Sequence, residues 1–377
     1  MKLMHLSDLH IGKKIYAFSM LPDQEYILKQ IVQIAKEQKV EGVIIAGDIY
    51  DKPVPPAEAV SLYDWFLTAL AQLSIPVFAI SGNHDSAERT AFAAGLLKSR
   101  GIYMSPVFSG DIQPVRLKDA YGELFVYLLP FIKPVHIKKE YEQTDFDSYT
   151  AAFSFLMQQW KIDCTKRNIL VAHQFITGAK KCDSEELSIG GLDQIDADVF
   201  KDFDYVALGH LHSPQNIGGS TMRYCGTPLK YSFSEWRHQK SVTIVELQDK
   251  GNLTVDTIPL DPMRDMREIK GPFAKITSLD NICKTDDYIK VILTDENDII
   301  DAAAKLKAIY PNLMCLEYQN SRTAANASFT AVADLRQKSN FELFSAFFEQ
   351  QNNMPLSQPQ TAYIKEKMET VWGEDAQ

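Results

Sequence analysis

Short apolar runs alternate along the chain with stretches whose apolar residues recur every three or four positions. Residues 3–6 read as a strand. Ile27, Leu28, Ile31, Ile34 and Ala35 share one helical face, and residues 42–46 (GVIIA) form another short apolar run. Leu62, Trp65, Phe66 and Leu70 make a second helical stripe before residues 77–80 return to strand character. Strands that are apolar throughout, rather than alternating, are those buried on both faces of a parallel sheet. The strand–helix–strand–helix rhythm therefore predicts an α/β layer. Residues 124–129, 169–172 and 205–208 are further strand candidates. Residues 242–247 and 253–258, separated by QDKGN, predict a hairpin. The polar stretch 261–271 (DPMRDMREIKG) reads as a linker. A smaller strand–helix–strand unit follows at 288–293, 299–309 and 313–318. The tail is helical from residue 340, breaks at 352–359 and resumes to about Trp372.

The polar residues gather where the apolar runs end. Residues 3–6 end in Ser7-Asp8-Leu9-His10, and GVIIA ends in Gly47-Asp48-Ile49-Tyr50-Asp51. Residues 77–80 end in Ser81-Gly82-Asn83-His84-Asp85. ILVA ends in His173-Gln174, and YVAL ends in Gly209-His210-Leu211-His212. Ligand sites in open α/β sheets form beyond the carboxyl ends of the strands, so five such clusters predict one shared pocket. Asp8, His10, Asp48, Asn83, His84, His173, His210 and His212 are too many donors for one tetrahedral zinc. Their mixture of imidazole, carboxylate and amide oxygen suits divalent Mn, Fe or Zn. Two ions sharing a carboxylate would use the set, activating water and neutralising charge on a phosphoryl group. Asp8 and His10, like His210 and His212, are two apart, which in extended backbone puts both on one side. Gly47, Gly82 and Gly209 permit sharp turns or close backbone approach just before these residues. A lone histidine beside a strand is ordinarily a hydrogen-bonded structural residue, and His5, His136 and His238 are read that way.

The 377 residues exceed one small domain and suggest roughly two. Hydrophobic residues at 45 % allow a sizeable core. No apolar run is long enough to span a membrane, and the N-terminal MKLMHLSDLH turns polar before a signal-peptide core can form. Five widely spaced cysteines with no CxxC pair predict reduced thiols and a cytoplasmic protein. A formal net charge of −10 excludes coating of nucleic acid by overall positive charge, but not a nuclease whose carboxylates sit against metal ions. No GxxxxGK[ST] loop occurs, so the chain carries no P-loop ATPase of its own.

In their order, DLH, GDIYD, GNHD, a single H and GHLH resemble the signature of the calcineurin-like metallophosphoesterases over roughly residues 1–260. MKLMHLSDLHIGK, AGDIYDKPVPPAEAV, ISGNHDSAERTAF, ALGHLHSPQ and YCGTPLKYSFSEWRHQKSV resemble more narrowly the SbcD family of nucleases and its double-strand-break-repair relatives. The resemblance implies a four-layer αββα sandwich over residues 1–260. It also implies a small α+β capping domain at 272–335 and a C-terminal helical tail at 340–377. It implies that Asp8, His10 and His212 hold one metal, that Asn83, His173 and His210 hold the other, and that Asp48 bridges. His84 matches the family's catalytic histidine, with Asp51 and Asp85 behind it; Asp85 is read either as a partner of that imidazole or as a turn cap, and Asp51 likewise. Two divalent ions, Mn2+ by the resemblance, are the implied cofactors. The implied activity is ATP-independent 3′–5′ double-strand exonuclease and single-strand endonuclease cleavage, with an SbcC-type ATPase, on DNA ends and hairpins in replication and recombination. The alternatives are another binuclear phosphoesterase (a phosphatase or cyclic-nucleotide phosphodiesterase) or a non-catalytic DNA-tethering subunit. Lys13, Lys14, Tyr16 and Arg89 are candidate DNA contacts, whereas Lys138, Lys139, Lys180 and Lys181 read as exposed charges. Phe341, Leu343, Phe344, Phe347 and Phe348 crowd the tail, either as a core contact within the chain or for burial in a groove or against a partner coiled coil; the resemblance favours the latter, on an SbcC-type ATPase. A homodimer through residues 57–71 and 87–100 is expected.

Overall fold

The computed structural model describes residues 1–142, 145–179, 193–278, 286–324, 341, 344–345, 348 and 355–372. The chain divides into two units, Met1–Asp265 and Met266–Gln377. In the first, strands β1 (Lys2–Leu6), β2 (Gly42–Ala46), β3 (Val77–Ile80) and β4 (Ile102–Met104) run parallel. Helices α1 (Leu21–Glu37) and α2 (Ala57–Gln72) cross over between them. A second sheet holds β5 (Val115–Asp119), β6 (Gly122–Leu129), β7 (Arg167–His173), β8 (Tyr205–Gly209), β9 (Gln215–Asn216) and β10 (Met222–Tyr224). The expected hairpin is β11 (Ser241–Leu247) with β12 (Leu253–Pro259), and β11 pairs antiparallel with β1. The sheet orders are β12-β11-β1-β2-β3-β4 and β9-β10-β8-β7-β6-β5.

The period of two along each strand divides the core into layers. Leu3, Ile44, Ala46, Phe78 and Ile80 of the first sheet pack with Leu124, Val126, Ile169, Val171, Tyr205 and Ala207 of the second. The alternate residues of the second sheet, Leu129, Leu170, Ala172, Val206 and Leu208, pack instead with Phe153 and Leu156 of helix α3 (Tyr149–Trp160). Those of the first sheet, Met4, Leu6, Val43, Ile45, Val77 and Ala79, are equally buried. The crossover helices bury Ile27, Leu28 and Ile31 of α1, and Tyr63, Phe66 and Leu70 of α2. The order is helix, sheet, sheet, helix: the four-layer sandwich. His5 is fully buried between the sheets with Nδ1 2.9 Å from the Tyr205 hydroxyl, and His136 accepts the Lys133 N–H, both structural as expected.

The segment 87–100, expected at a dimer surface, is not one continuous helix. It consists of three short turns, Ala87–Thr90, Ala94–Leu97 and Lys98–Arg100, with Ala93 between the first two at φ 58°. Phe92 and Leu96 are left exposed there, as are Val60 and Trp65 on α2.

In the second unit, the stretch read as a linker contributes a strand, β13 (Met266–Gly271). It is parallel to β14 (Tyr288–Leu293), which pairs in turn with β15 (Leu313–Tyr318). An edge strand buries little, here Met266 and Gly271, so its polar residues hide the pattern. Helix α4 (Ala302–Ile309) supplies Leu306 to a core with Ile289, Val291 and Leu293. The tail helix α5 spans Gln358–Trp372. Phe341, Phe344 and Phe348 are half-buried; Leu343, Phe347, Lys180 and Lys181 lie outside the described residues. Among the described residues, no helix is long and apolar enough to cross a membrane.

Candidate metal centre

The chain does not leave its strands in extended form. Asp8 (φ 52°) and His10 (φ 44°) follow β1, Gly47 (φ 86°) and Asp48 (φ 49°) follow β2, and His210 (φ 102°) follows β8. Left-handed backbone costs a residue with a Cβ about 1–2 kcal/mol and is best tolerated by Asp, Asn and His. The expectation that Asp8/His10 and His210/His212 share a side through extended geometry is therefore corrected: both pairs converge through turns. Those turns are tied together. Asp8 N–H donates to Gly47 O (3.0 Å) and His10 N–H to Asp48 O (2.9 Å). The Asp8 carboxylate accepts His210 N–H at 3.0 and 3.2 Å, and Asp48 Oδ1 accepts His84 N–H at 2.9 Å.

This scaffold turns lone pairs toward one another. His173 Nδ1 donates to Ala46 O (2.8 Å), so in the neutral ring Nε2 carries a lone pair. That atom lies 2.9 Å from Asn83 Oδ1 and 3.4 Å from Asp48 Oδ2. Asn83 Oδ1 is also 3.0 Å from His210 Nδ1. On the other side His10 Nε2 lies 3.2 Å from His212 Nε2 and 3.7 Å from Asp48 Oδ2. Three sets of donor atoms, from Asp8/His10/His212, Asp8/Asp48/His173 and His10/Asp48/His84, each fall within 4.8 Å of one another. Asp8 and His173 are wholly enclosed, and the other members except Asn83 and His84 are nearly so. A buried gathering of acceptors repels itself unless cations lie among them, and the nitrogen–oxygen mixture fits divalent transition ions.

The charges show the same tension. Burial pushes the Asp8 carboxyl up, against the pull of His173 and His212. Burial also opposes the ionisation of Asp48, but the neighbouring imidazoles, His173 foremost, outweigh it and hold the carboxyl well below its usual range. For His173 burial is likewise outweighed, here by the Asp48 carboxylate, and its pKa rises to about 9. Burial, then the charge on His173, pulls His210 down to about 3.

Known proteins match the chain over most of its length. The calcineurin-like phosphoesterase family matches residues 1–214, and the type 5 capsule protein repressor C-terminal domain (SbcD_C) matches residues 262–352. The SbcD subunit of the nuclease SbcCD from Staphylococcus epidermidis is 32% identical over 370 residues, 97% of this chain and 97% of that protein. The chain belongs to the SbcD family of calcineurin-like phosphoesterases. Solved structures similar to it include a dimetal phosphatase from Danio rerio (10% identity, 70% of this chain and 98% of that one, TM-score 0.43). Another is the phosphoesterase Yfce from E. coli (12%, 69% and 100%, TM-score 0.28); neither score adds to the assignment.

Around this SbcD-family centre, several side chains have other partners than the sequence suggests. Asp85 does not hold the His84 imidazole. Its oxygens accept N–H groups from Ile49 (3.0 Å), Tyr50 (2.9 Å) and Gly82 (2.9 Å), splinting two loops together. Burial and then the charge of Asp48 push its carboxyl up to about 6. His84 Nδ1 donates instead to the Asp51 carbonyl (3.1 Å). The Asp51 carboxylate pairs with Lys13 (2.6 Å) and lies 3.7 Å from His10 Nδ1. Lys13 is thus engaged beside the centre. Lys14 and Tyr16 are exposed on a small hairpin, Lys14–Ile15 with Phe18–Ser19, and Arg89 is exposed at the Ala87–Thr90 turn. The sequence reading missed Glu235 and Lys240, a buried pair (2.5 Å) beside His212, and Gln24, whose amide donates to His10 O (2.7 Å). No local signal marks them: Gln24 lies between Asp23 and Glu25, and Lys240 between Gln239 and Ser241.

Proposed function

We propose that this chain is a two-metal DNA nuclease, acting as an ATP-independent 3′–5′ double-strand exonuclease and single-strand endonuclease. The observation that carries the reading is the convergence of imidazole, carboxylate and amide donors around Asp48, in a chain related to an SbcCD nuclease subunit over 97% of its length. Asp8, His10 and His212 would hold one ion and Asn83, His173 and His210 the other, with Asp48 between them. When bound, such ions supply an activated water and neutralise charge on the phosphoryl group. The enclosed walls exclude bulk water. Asp85 fixes both loops that carry Asp48 and Asn83. With Nδ1–H committed to Asp51 O, the His84 ring presents Nε2, which in the doubly protonated ring passes its proton to the departing sugar oxygen.

Manganese is the proposed metal. Lys14, Tyr16 and Arg89 lie exposed and are proposed to contact DNA, with Lys13 holding Asp51. The half-buried phenylalanines of the tail support docking on an SbcC-type ATPase, and the exposed Phe92, Leu96, Val60 and Trp65 support a homodimer. The test is Mn-dependent cleavage of a 3′-labelled duplex by the wild type and by Asp48→Asn. Asn tolerates the left-handed backbone at residue 48, so the substitution isolates the charge. Cleavage is expected to vanish, and equal cutting by both proteins refutes the centre.

A further inference from the structure

The segment 224–242 stands out in the sequence, yet none of its residues is among the donors. It holds His212 from both ends. The backbone carbonyl of His212 accepts the Lys240 ammonium at 2.9 Å and the Thr227 N–H at 3.2 Å. At the ring, His212 Nδ1 faces Glu235 Oε1 at 3.8 Å, while Nε2 faces His10. Glu235 and Thr227 are wholly buried and Lys240 is nearly so. The three Lys240 donors are all used, on His212 O, Thr227 Oγ1 (2.7 Å) and Glu235 Oε2 (2.5 Å). Lys240 therefore occupies one Glu235 oxygen and leaves the other directed at the imidazole.

We propose that Glu235 is a positioning residue for His212: its Oε1 selects the ring tautomer protonated at Nδ1 and so keeps the Nε2 lone pair turned into the metal centre, while Lys240 pairs with the other Glu235 oxygen and holds the carboxylate in place. A carboxylate behind a ligating histidine fixes its orientation and raises its basicity, and loss of such a partner costs about 10- to 100-fold in metal affinity. A buried Glu–Lys pair also has a purely structural reading, as an internal strut. The two readings differ in what restoring charge balance does, because a strut can be replaced by any neutral pair of similar shape.

The inference rests on the two-metal reading, and the experiment separates the two. Manganese binding to the metal-free full-length protein is followed by calorimetry, alongside its thermal melting without metal. The wild type is expected to bind two equivalents; if it binds none, the two-metal reading itself falls. Glu235→Gln alone strands the Lys240 charge and is expected to lower melting as well as affinity. The double variant Glu235→Gln/Lys240→Met is expected to recover metal-free melting but to bind one of the two equivalents about 10- to 100-fold more weakly. Cleavage by the double variant should return as manganese is raised to saturation. Glu235→Asp keeps the ion pair but withdraws the carboxylate by one methylene; it is expected to melt normally and bind more weakly, and serves if the double variant fails to fold. Wild-type affinity for both equivalents in a folded double variant or in Glu235→Asp overturns the proposal.

Discussion

Adding one methyl group at Gly82 tests how tightly the centre is built. The backbone at Gly82 is not left-handed, so the substitution to Ala is purely steric. A Cβ there would stand 2.1 Å from Asp48 Oδ1, 2.4 Å from Asp48 N and 2.7 Å from Asp48 Cγ. Carbon contacts settle near about 3.5 Å, so the methyl is about 1 Å too close to every one of these atoms. Neither partner can yield freely. Asp48 is 2% exposed, its Oδ1 accepts the His84 N–H, and its carbonyl accepts the His10 N–H. If the surroundings resist, the cost is that of overpacking, about 1–3 kcal/mol, with about 1.5–3 kcal/mol more if the charged hydrogen bond to His84 breaks. If Asp48 retreats instead, a displacement of about 1 Å lowers turnover about 100-fold. Thermal melting of the metal-free protein reads the first outcome, and cleavage of labelled duplex across a manganese titration reads the second. A Gly82→Ala protein with wild-type melting and wild-type cleavage at every manganese concentration would refute the packing argument.

Replacing His84 with Gln should lower kcat by about 10^2- to 10^4-fold while leaving calorimetric manganese affinity unchanged, because Asp48 leans on the backbone N–H of residue 84, which any residue supplies. Far from the centre, both Asp119 oxygens accept from Arg167, at 2.6 and 3.1 Å, and the Met1 ammonium pairs with Asp119 at 2.7 Å; together they outweigh burial and hold the carboxyl well below its usual range. A depressed carboxylate stabilises the fold above its unfolded pKa of about 3.9 and loses that contribution as the pH falls. Asp119→Asn should therefore cost about 2 kcal/mol in urea melts at pH 7, with the gap to wild type narrowing below about pH 4 and closing only as the pH falls through the depressed folded value; a gap that does not narrow in acid would contradict the pairing.

The strands and the donors were legible because their signal is local. An apolar run followed at once by Asp, Asn or His announces both a buried strand and what stands at its end, as in Leu6 to His10 and Leu208 to His212. The hairpin at residues 241–259 was legible for the same reason. The strand Met266–Gly271 was not, because an edge strand needs few apolar residues. Nor was the role of Glu235, since nothing near it in sequence marks it as the neighbour of His212 or Lys240 as its counter-charge. The exchange of partners between Asp85 and Asp51 was hidden differently: both lie beside His84 in the fold, and only the folded chain reveals that a backbone carbonyl takes its N–H.

The bond from the His210 N–H to the Asp8 carboxylate spans 202 positions of the chain. Asp8 precedes most of the fold in the chain, yet it meets His210 only after both sheets have been synthesised and have closed on each other. A chain that stops short of His210 thus holds these polar side chains without the contacts that gather them. Assembly of the sandwich and closing of the centre become one event.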